Sequence, residues 1–274
     1  MEIWQAIVLG IVEGFTEFLP VSSTGHLTIA EKLMGMNVAD DAVTGYTAVI
    51  QIGAIVAAIL YFRKDIARIV VGLFKGIVNK EERGFDYRFG WYVVAGSLPI
   101  AVVGLVGKPL IKGPLRSLWV VAGALIVWSL VMWFAERVGP QQRGERDVTL
   151  KDVLIIGFMQ CLALVPGVSR SGATISGGLL RDLDRVTATR LSFFLGIPAL
   201  TAAGLYELKD ALHGSIGVLP LVIGTVVSFV VGYASIAWLL KFVAKHSITT
   251  FVGYRVLLGL GIIGLLVAGT ISAT

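Results

Sequence analysis

Two carboxylates four residues apart, Glu13 and Glu17, stand in an otherwise apolar stretch that runs into Pro20-Val-Ser-Ser-Thr-Gly-His26. A helix puts both on one face. Like charges that close repel in low-dielectric surroundings. A divalent cation between them, or one shared proton, removes the conflict, and hard carboxylate oxygens suit Mg²⁺ or Ca²⁺. The plainer alternative is a pair that only lines a hydrated vestibule. The turn Ser22-Ser-Thr-Gly-His26 adds three hydroxyls, an imidazole and the N–H groups of a helix start, which favour anions. Ser23 and His26, about one helical turn apart, have the makings of a nucleophile and its base. Ordinary helix capping by Ser22, Ser23 or Thr24 accounts for the same residues.

A second cluster, Pro166-Gly-Val-Ser-Arg-Ser-Gly172, carries a fixed cation. The guanidinium fork of Arg170 matches phosphate oxygens. Ser169 and Ser171 can donate to a phosphate or orient Arg170, and Gly167 and Gly172 permit close backbone approach. Otherwise Arg170 merely pairs with Glu13 or Glu17. Carboxylates, a serine, a histidine and an arginine are together the parts of phosphoryl transfer, which is mainly positioning and charge neutralisation. Gln51, in Val49-Ile-Gln-Ile-Gly53, is a secondary candidate, either a ligand contact or helix–helix glue. Arg255 either pairs inside the protein or snorkels to an interface. His213 and His246 fall in or near loops and read as solvated.

The two clusters repeat each other. A shift of 147 residues carries Gly10 onto Gly157, Glu13 onto Gln160, Val21 onto Val168, Ser22 onto Ser169, Ser23 onto Arg170, Thr24 onto Ser171 and Gly25 onto Gly172. Each is an apolar segment broken by proline and a Ser/Gly-rich turn. In a bilayer that pattern reads as a re-entrant helix-loop-helix hairpin, whose irregular backbone is tolerated only where it lines a protected cavity.

Composition supplies the bilayer. Hydrophobic residues make 56% of the 274 and charged ones 15%, against about 25% charged in a soluble domain, and mean hydropathy is +0.84. No cleavable signal peptide is evident, since the first segment holds Glu13 and Glu17 and lacks a basic start. The single Cys161 rules out an intrachain disulfide. The net charge of +5 is better explained by basic cytoplasmic loops than by a nucleic-acid partner.

Full spans are expected at about Thr44–Phe62, Phe89–Gly107, Leu118–Ala135, Leu191–Tyr206, Leu219–Leu240 and Thr250–Thr270, with hairpins at about Ile3–Leu33 and Val153–Leu180. The fold class is thus an all-α integral membrane protein of about six transmembrane helices and two re-entrant hairpins. One hairpin and three crossings per half force the second half to enter from the opposite side. Residues 1–146 and 147–274 should then form an inverted-topology repeat within one polytopic domain. A weaker echo agrees: Tyr61-Phe-Arg-Lys-Asp65 and Tyr206-Glu-Leu-Lys-Asp210 each close the first crossing of a half. Sixteen Lys and Arg fall in the stretches 63–88, 137–151, 181–190 and 241–245, against five (Lys32, Lys108, Lys112, Arg116 and Lys209) on the other side. The richer side should be cytoplasmic, with both termini outside. Left at membrane depth are Glu13, Glu17, Arg170 and Arg255, where ionisable groups are costly and functional by default.

The runs Glu13-Gly-Phe-Thr-Glu17-Phe-Leu-Pro-Val-Ser-Ser-Thr-Gly-His26 and Pro166-Gly-Val-Ser-Arg-Ser-Gly-Ala-Thr-Ile-Ser-Gly-Gly178 resemble the undecaprenyl-diphosphatase family, also called bacitracin-resistance proteins. The resemblance covers essentially the whole chain. It implies a multi-pass protein of the bacterial cytoplasmic membrane that removes the terminal phosphate of undecaprenyl diphosphate and recycles the carrier for peptidoglycan synthesis. It also implies a divalent cation, a site opening to the outer face, and a homodimer. By position, Glu13 and Glu17 would be the acidic pair, Ser23 and His26 the catalytic turn, and Arg170 the phosphate-binding arginine, with Ser22, Thr24, Ser169, Ser171 and Gly172 around the phosphate. Within that reading Ser23 attacks the terminal phosphate and His26 or a glutamate takes its proton, or water attacks directly and Ser23 only binds. The rival is a transporter or flippase of a phosphorylated prenyl lipid or other anion, because broken helices in inverted repeats are frequent in secondary transporters.

Overall fold

A computed structural model describes residues 1–38, 40–112, 115, 117–213 and 216–273, and the side chains of 41, 108, 112 and 208–213 are not among those described. The expectations placed on Arg116, and on the side chains of Lys108, Lys112, Lys209, Asp210 and His213, lie outside what is described. Among the described residues the fold is all helix, without a strand. The helices are α1 (Ile3–Thr16), α2 (Ser23–Leu33), α3 (Asp41–Tyr61), α4 (Arg63–Val78), α5 (Phe85–Val106), α6 (Lys108–Lys112), α7 (Leu118–Val138), α8 (Leu150–Cys161), α9 (Arg170–Leu180), α10 (Arg185–His213), α11 (Val218–Val243) and α12 (Thr250–Val267). Six are long and apolar enough to cross a bilayer: Ala42–Tyr61, Phe85–Val106, Leu118–Val138, Arg185–Glu207, Val218–Val243 and Thr250–Val267. Large apolar side chains such as Val127, Leu130, Val226, Val230 and Leu257 lie exposed on these helices, a surface that lipid rather than water suits. The chain is a multi-pass membrane protein.

The crossings fall where the apolar runs put them, with two differences. Helix α10 begins six residues before Leu191 and continues through Pro198. Helix α4 fills a stretch that the sequence offered only as a basic loop. Its basic and apolar residues share a helical period, but the charges disqualify it as a span. Gly72 and Gly76 let it lie against Asp86 and Tyr87 of α5.

The broken pairs are α1–α2 and α8–α9. Their limbs have 14, 11, 12 and 11 residues. At 1.5 Å per residue none exceeds about 21 Å, short of the roughly 30 Å hydrocarbon layer. Both breaks end in the same way. Ser22 and Ser169 cap α2 and α9 with φ of 79° and 77°, and their hydroxyls accept from Gly25 and Gly172 N–H. A non-glycine residue in that region carries strain, here repeated at positions 147 apart. Packing also runs in parallel. Helix α1 lies along α11 and α8 along α5. A Cβ on Gly10 would meet the Gly224 carbonyl, and one on Gly157 the Gly96 carbonyl, so each contact brings backbones close, as small residues do in membranes.

The four basic stretches gather at one end. Arg68 pairs with Glu145 and Arg190 with Asp65 and Glu145. Arg185 pairs with Glu136, whose other oxygen accepts from Ile248 N–H. Arg143 and Arg181 both pair with the buried Asp152. Burial pushes the Asp152 carboxyl up, but hydrogen bonds from Arg143, Thr149 and Arg181 outweigh it and hold it well below the usual carboxylate range. At the opposite end Lys32 donates to the Ser272 carbonyl.

Candidate active site

The breaks bring the two clusters into contact. Glu17 is the C-cap of α1, and the chain after it turns through Pro20 to Ser22. Ser23, the first residue of α2, donates its hydroxyl to Glu17 Oε2 at 2.6 Å. Gln51 Nε2 reaches the same oxygen at 3.4 Å. The other oxygen, Oε1, lies 3.3 Å from Arg170 Nη2. Arg170 is the first residue of α9, and its Nη1 donates to the Ser192 carbonyl of α10 at 2.9 Å. Its Nε is buried without a partner. Glu17 therefore joins a hydroxyl and a guanidinium that arrive from different halves of the chain.

Glu13, one turn before Glu17, is 1% exposed, and neither carboxylate oxygen has a hydrogen-bond partner. A buried carboxylate left bare is costly, so the position suits a bound cation. Among the described residues no group of three or more His, Cys, Asp or Glu side chains forms a metal cluster. A cavity of about 290 Å³ opens on this point, lined by Glu13, Ser23, Thr24, Thr28, Gln51 and Pro166 among others.

His26 does not face Ser23. Its Nδ1 lies 2.7 Å from the Ser22 carbonyl and its Nε2 2.6 Å from the Tyr254 hydroxyl, with the two rings stacked. A carbonyl only accepts, so Nδ1 carries the proton. The basic Nε2 then meets the Tyr254 hydroxyl of α12 rather than Ser23. The sequence spacing placed His26 within reach of Ser23. The helix instead directs its ring at the preceding turn.

The remaining hydroxyls stitch the breaks together. Ser22 Oγ accepts from Gly167 N–H at 3.1 Å, and Ser171 Oγ donates to the Leu19 carbonyl at 2.8 Å. Ser169 Oγ takes Gly172 N–H and lies 3.1 Å from Ser171 Oγ. Ser22, Ser169 and Ser171 are all buried, and their bonds run to protein. Thr24 lines the cavity. The Ser23 and Thr24 amides at the start of α2 precede the first intrahelical acceptor, as helix geometry requires.

Three contributors carried no readable signal in the sequence. Ser192 offers only a main-chain oxygen. Gly196 on α10 leaves room for Arg170, since a Cβ there would overlap the guanidinium. Tyr254 fixes the His26 ring. Nothing in local spacing singles out a residue that acts through its carbonyl or through lacking a side chain.

Residues 6–261 match the family model described as bacitracin resistance protein BacA. The chain is 63% identical to "Undecaprenyl-diphosphatase 1" of Streptomyces coelicolor, over 100% of this chain and 99% of that protein. It is 60% identical to "Undecaprenyl-diphosphatase 1" of Streptomyces avermitilis, over 99% of both. It is 58% identical to "Undecaprenyl-diphosphatase 1" of Frankia alni, over 100% of this chain and 99% of that protein.

Proposed function

This chain belongs to the bacitracin resistance protein BacA family, and we propose that it is a membrane-embedded phosphatase that converts undecaprenyl diphosphate to undecaprenyl phosphate. One observation carries the chemistry: Ser23 Oγ donates to Glu17 at 2.6 Å while Arg170 holds the other oxygen of that carboxylate. Glu17 takes the Ser23 proton as Oγ attacks the terminal phosphorus. The bond from that phosphorus to the bridging oxygen breaks, and the lipid monophosphate leaves with the bond's electrons. Glu17 passes that proton to the departing monophosphate and, ionised again, acts as base while water attacks the phosphoserine. The P–Oγ bond breaks, and Ser23 recovers its proton. Arg170 and the free amides of α2 neutralise and orient the terminal phosphate. His26, with Nε2 turned to Tyr254, holds the turn rather than the proton.

Glu13 and Glu17 are the residues that would hold a divalent cation, and the bare Glu13 carboxylate fits that task. When bound, Mg²⁺ or Ca²⁺ supplies charge neutralisation on the diphosphate oxygens.

The two halves read as an inverted repeat with re-entrant breaks. Supporting this are the Ser22 and Ser169 caps at matching positions, the limbs too short to cross, and the parallel packing of α1 on α11 and α8 on α5. The basic end faces the cytoplasm by the positive-inside rule. With the family's place in the bacterial cytoplasmic membrane, the cavity beside α2 then opens outward. A homodimer, which the family resemblance implies, is checked by the mass of the detergent-solubilised protein.

The direct test is phosphate release from a long-chain prenyl diphosphate by purified protein in detergent, with Mg²⁺, with Ca²⁺ and with EDTA, beside Arg170→Ala. Release that needs metal and is lost in Arg170→Ala is expected. No release with either metal from folded protein overturns the enzymatic reading. A Ser23→Ala variant that keeps most of its turnover overturns the phosphoserine route.

A further inference from the structure

Arg255, on α12, is the largest fully buried side chain described. Among the described residues its hydrogen bonds go to no carboxylate. Nη1 donates to the Pro20 carbonyl at 3.0 Å. Nη2 donates to the Gly167 and Val168 carbonyls at 2.9 and 3.1 Å and lies 3.5 Å from the Leu125 carbonyl. Nε donates to Ser129 Oγ at 3.1 Å, and that hydroxyl is anchored on the Leu125 carbonyl. Pro20 lies in the first break, two residues before the Ser22 cap. Gly167 and Val168 lie in the second, immediately before the Ser169 cap. One guanidinium thus grips the last turn of backbone ahead of both caps.

The Pro20, Gly167 and Val168 carbonyls stand where the chain is non-helical, so no i+4 amide satisfies them. Each would be a buried unpaired acceptor without a donor. The planar fork supplies several donors at fixed angles, which an ammonium on a flexible stem does not. The spacing across that fork sets the distance between the breaks. The first break delivers Ser23 and Glu17, and the second delivers Arg170. From these contacts we propose that Arg255 is a positioning residue, which fixes Ser23 and Glu17 against Arg170 so that both sets meet one phosphate. It touches neither substrate nor reacting atoms. The inference rests on the phosphatase reading above.

A positioning role differs from a merely structural one in its coupling to Arg170. Misplacing the second break costs turnover only because that break carries Arg170. Arg255→Lys keeps the charge but spans fewer carbonyls. It is expected to lower kcat about 30- to 100-fold with little change in KM, as an ångström-scale misplacement does. In an Arg170→Lys background the same change should cost less than about 3-fold, because coupled residues act non-additively. The four proteins of this cycle are assayed for phosphate release from a long-chain prenyl diphosphate, with melting temperature measured alongside.

Equal losses in both backgrounds, or a loss that tracks a fallen melting temperature, assign Arg255 to stability alone and overturn the proposal. Unchanged kcat does the same. If Arg255→Lys does not fold, Ser129→Ala replaces it, since it frees only the Nε anchor. Its kcat is expected to fall several-fold in the wild-type background and not in Arg170→Lys, and unchanged kcat overturns the proposal. Wild-type protein without phosphate release would instead sink the phosphatase reading.

Discussion

Glu17→Gln isolates the proposed base from the rest of the site. Glutamine has the same shape and keeps one carbonyl oxygen, but it loses the charge and the ability to take a proton. In the structure Glu17 makes two contacts that depend on charge, the 2.6 Å bond from Ser23 Oγ and the 3.3 Å pair with Arg170. Losing the first removes a general base, worth about 10²- to 10⁴-fold in rate. At the middle of that range the barrier rises by about 4 kcal/mol. Losing the second leaves Arg170, 9% exposed in its side chain, with the Ser192 carbonyl as its main partner. Breaking a buried pair from one side costs about 3–5 kcal/mol of stability, and the amide oxygen left at position 17 brings this toward the lower figure. Steady-state phosphate release at saturating Mg²⁺ should therefore fall about 10³-fold in kcat, in a protein that still elutes as folded. Added to Ser23→Ala, Glu17→Gln should cost little more than the worse single change, since a base without a nucleophile has nothing to activate. A Glu17→Gln enzyme within about tenfold of wild type refutes the assignment of Glu17 as the base. So does full multiplication of the two effects. Recovery of Glu17→Gln by excess metal alone would place its role in cation binding.

Further outcomes follow from the same geometry. Gly196→Ala puts a methyl group where the Arg170 guanidinium lies, so kcat/KM should fall about 100-fold while the protein remains folded by circular dichroism. Tyr254→Phe removes the hydroxyl partner of His26 Nε2 and should cost less than about tenfold in kcat, below the usual toll of losing a catalytic base. A larger fall with an altered pH profile would return His26 to the proton path. Asp152, held below the usual carboxylate range between Arg143 and Arg181, gives stability that is fully present above its unfolded pKa of about 3.9. That stability is lost as pH falls further toward the depressed folded value. Melting temperature in detergent should therefore drop below about pH 4 in wild type, and an Asp152→Asn protein should lack that component.

The crossings were legible because a bilayer imposes a length on apolar runs, and the breaks because Pro20, Pro166 and the Ser/Gly turns interrupt those runs. The likeness of Ser22 to Ser169 could be seen in the sequence and reappears as a shared positive φ and a shared cap. The direction of His26 could not be seen. Spacing along a chain says which residues share a face but not which main-chain oxygen will hold a ring. Arg255 was visible as a cation at depth, but its partners include three break carbonyls up to 235 positions away, and every residue has a carbonyl. Gly196 reads like any other packing glycine until Arg170 is placed beside it. Helix α4 was hidden because its charges, which the span criterion rejects, sit on one face of a helix packed against α5.

The same stitching bears on the choice between hydrolysis and transport. A transporter built from inverted halves works by rocking one half against the other about a fixed site. Here the halves are joined at that site. Ser22 Oγ takes an amide from Gly167, Ser171 donates to Leu19, Arg170 pairs with Glu17, and Arg255 holds carbonyls of both breaks. The Ser22, Ser171 and Arg255 contacts are buried and the Arg170–Glu17 pair partly so, where an unmade bond costs about 1–3 kcal/mol or more for a charged group. Opening the breaks past one another would sever them together without water to take their place. A phosphatase needs the opposite, with Ser23, Glu17 and Arg170 held still around one phosphate. The joined breaks meet that need, and their rigidity serves catalysis: each break contributes one side of a site that neither could form alone.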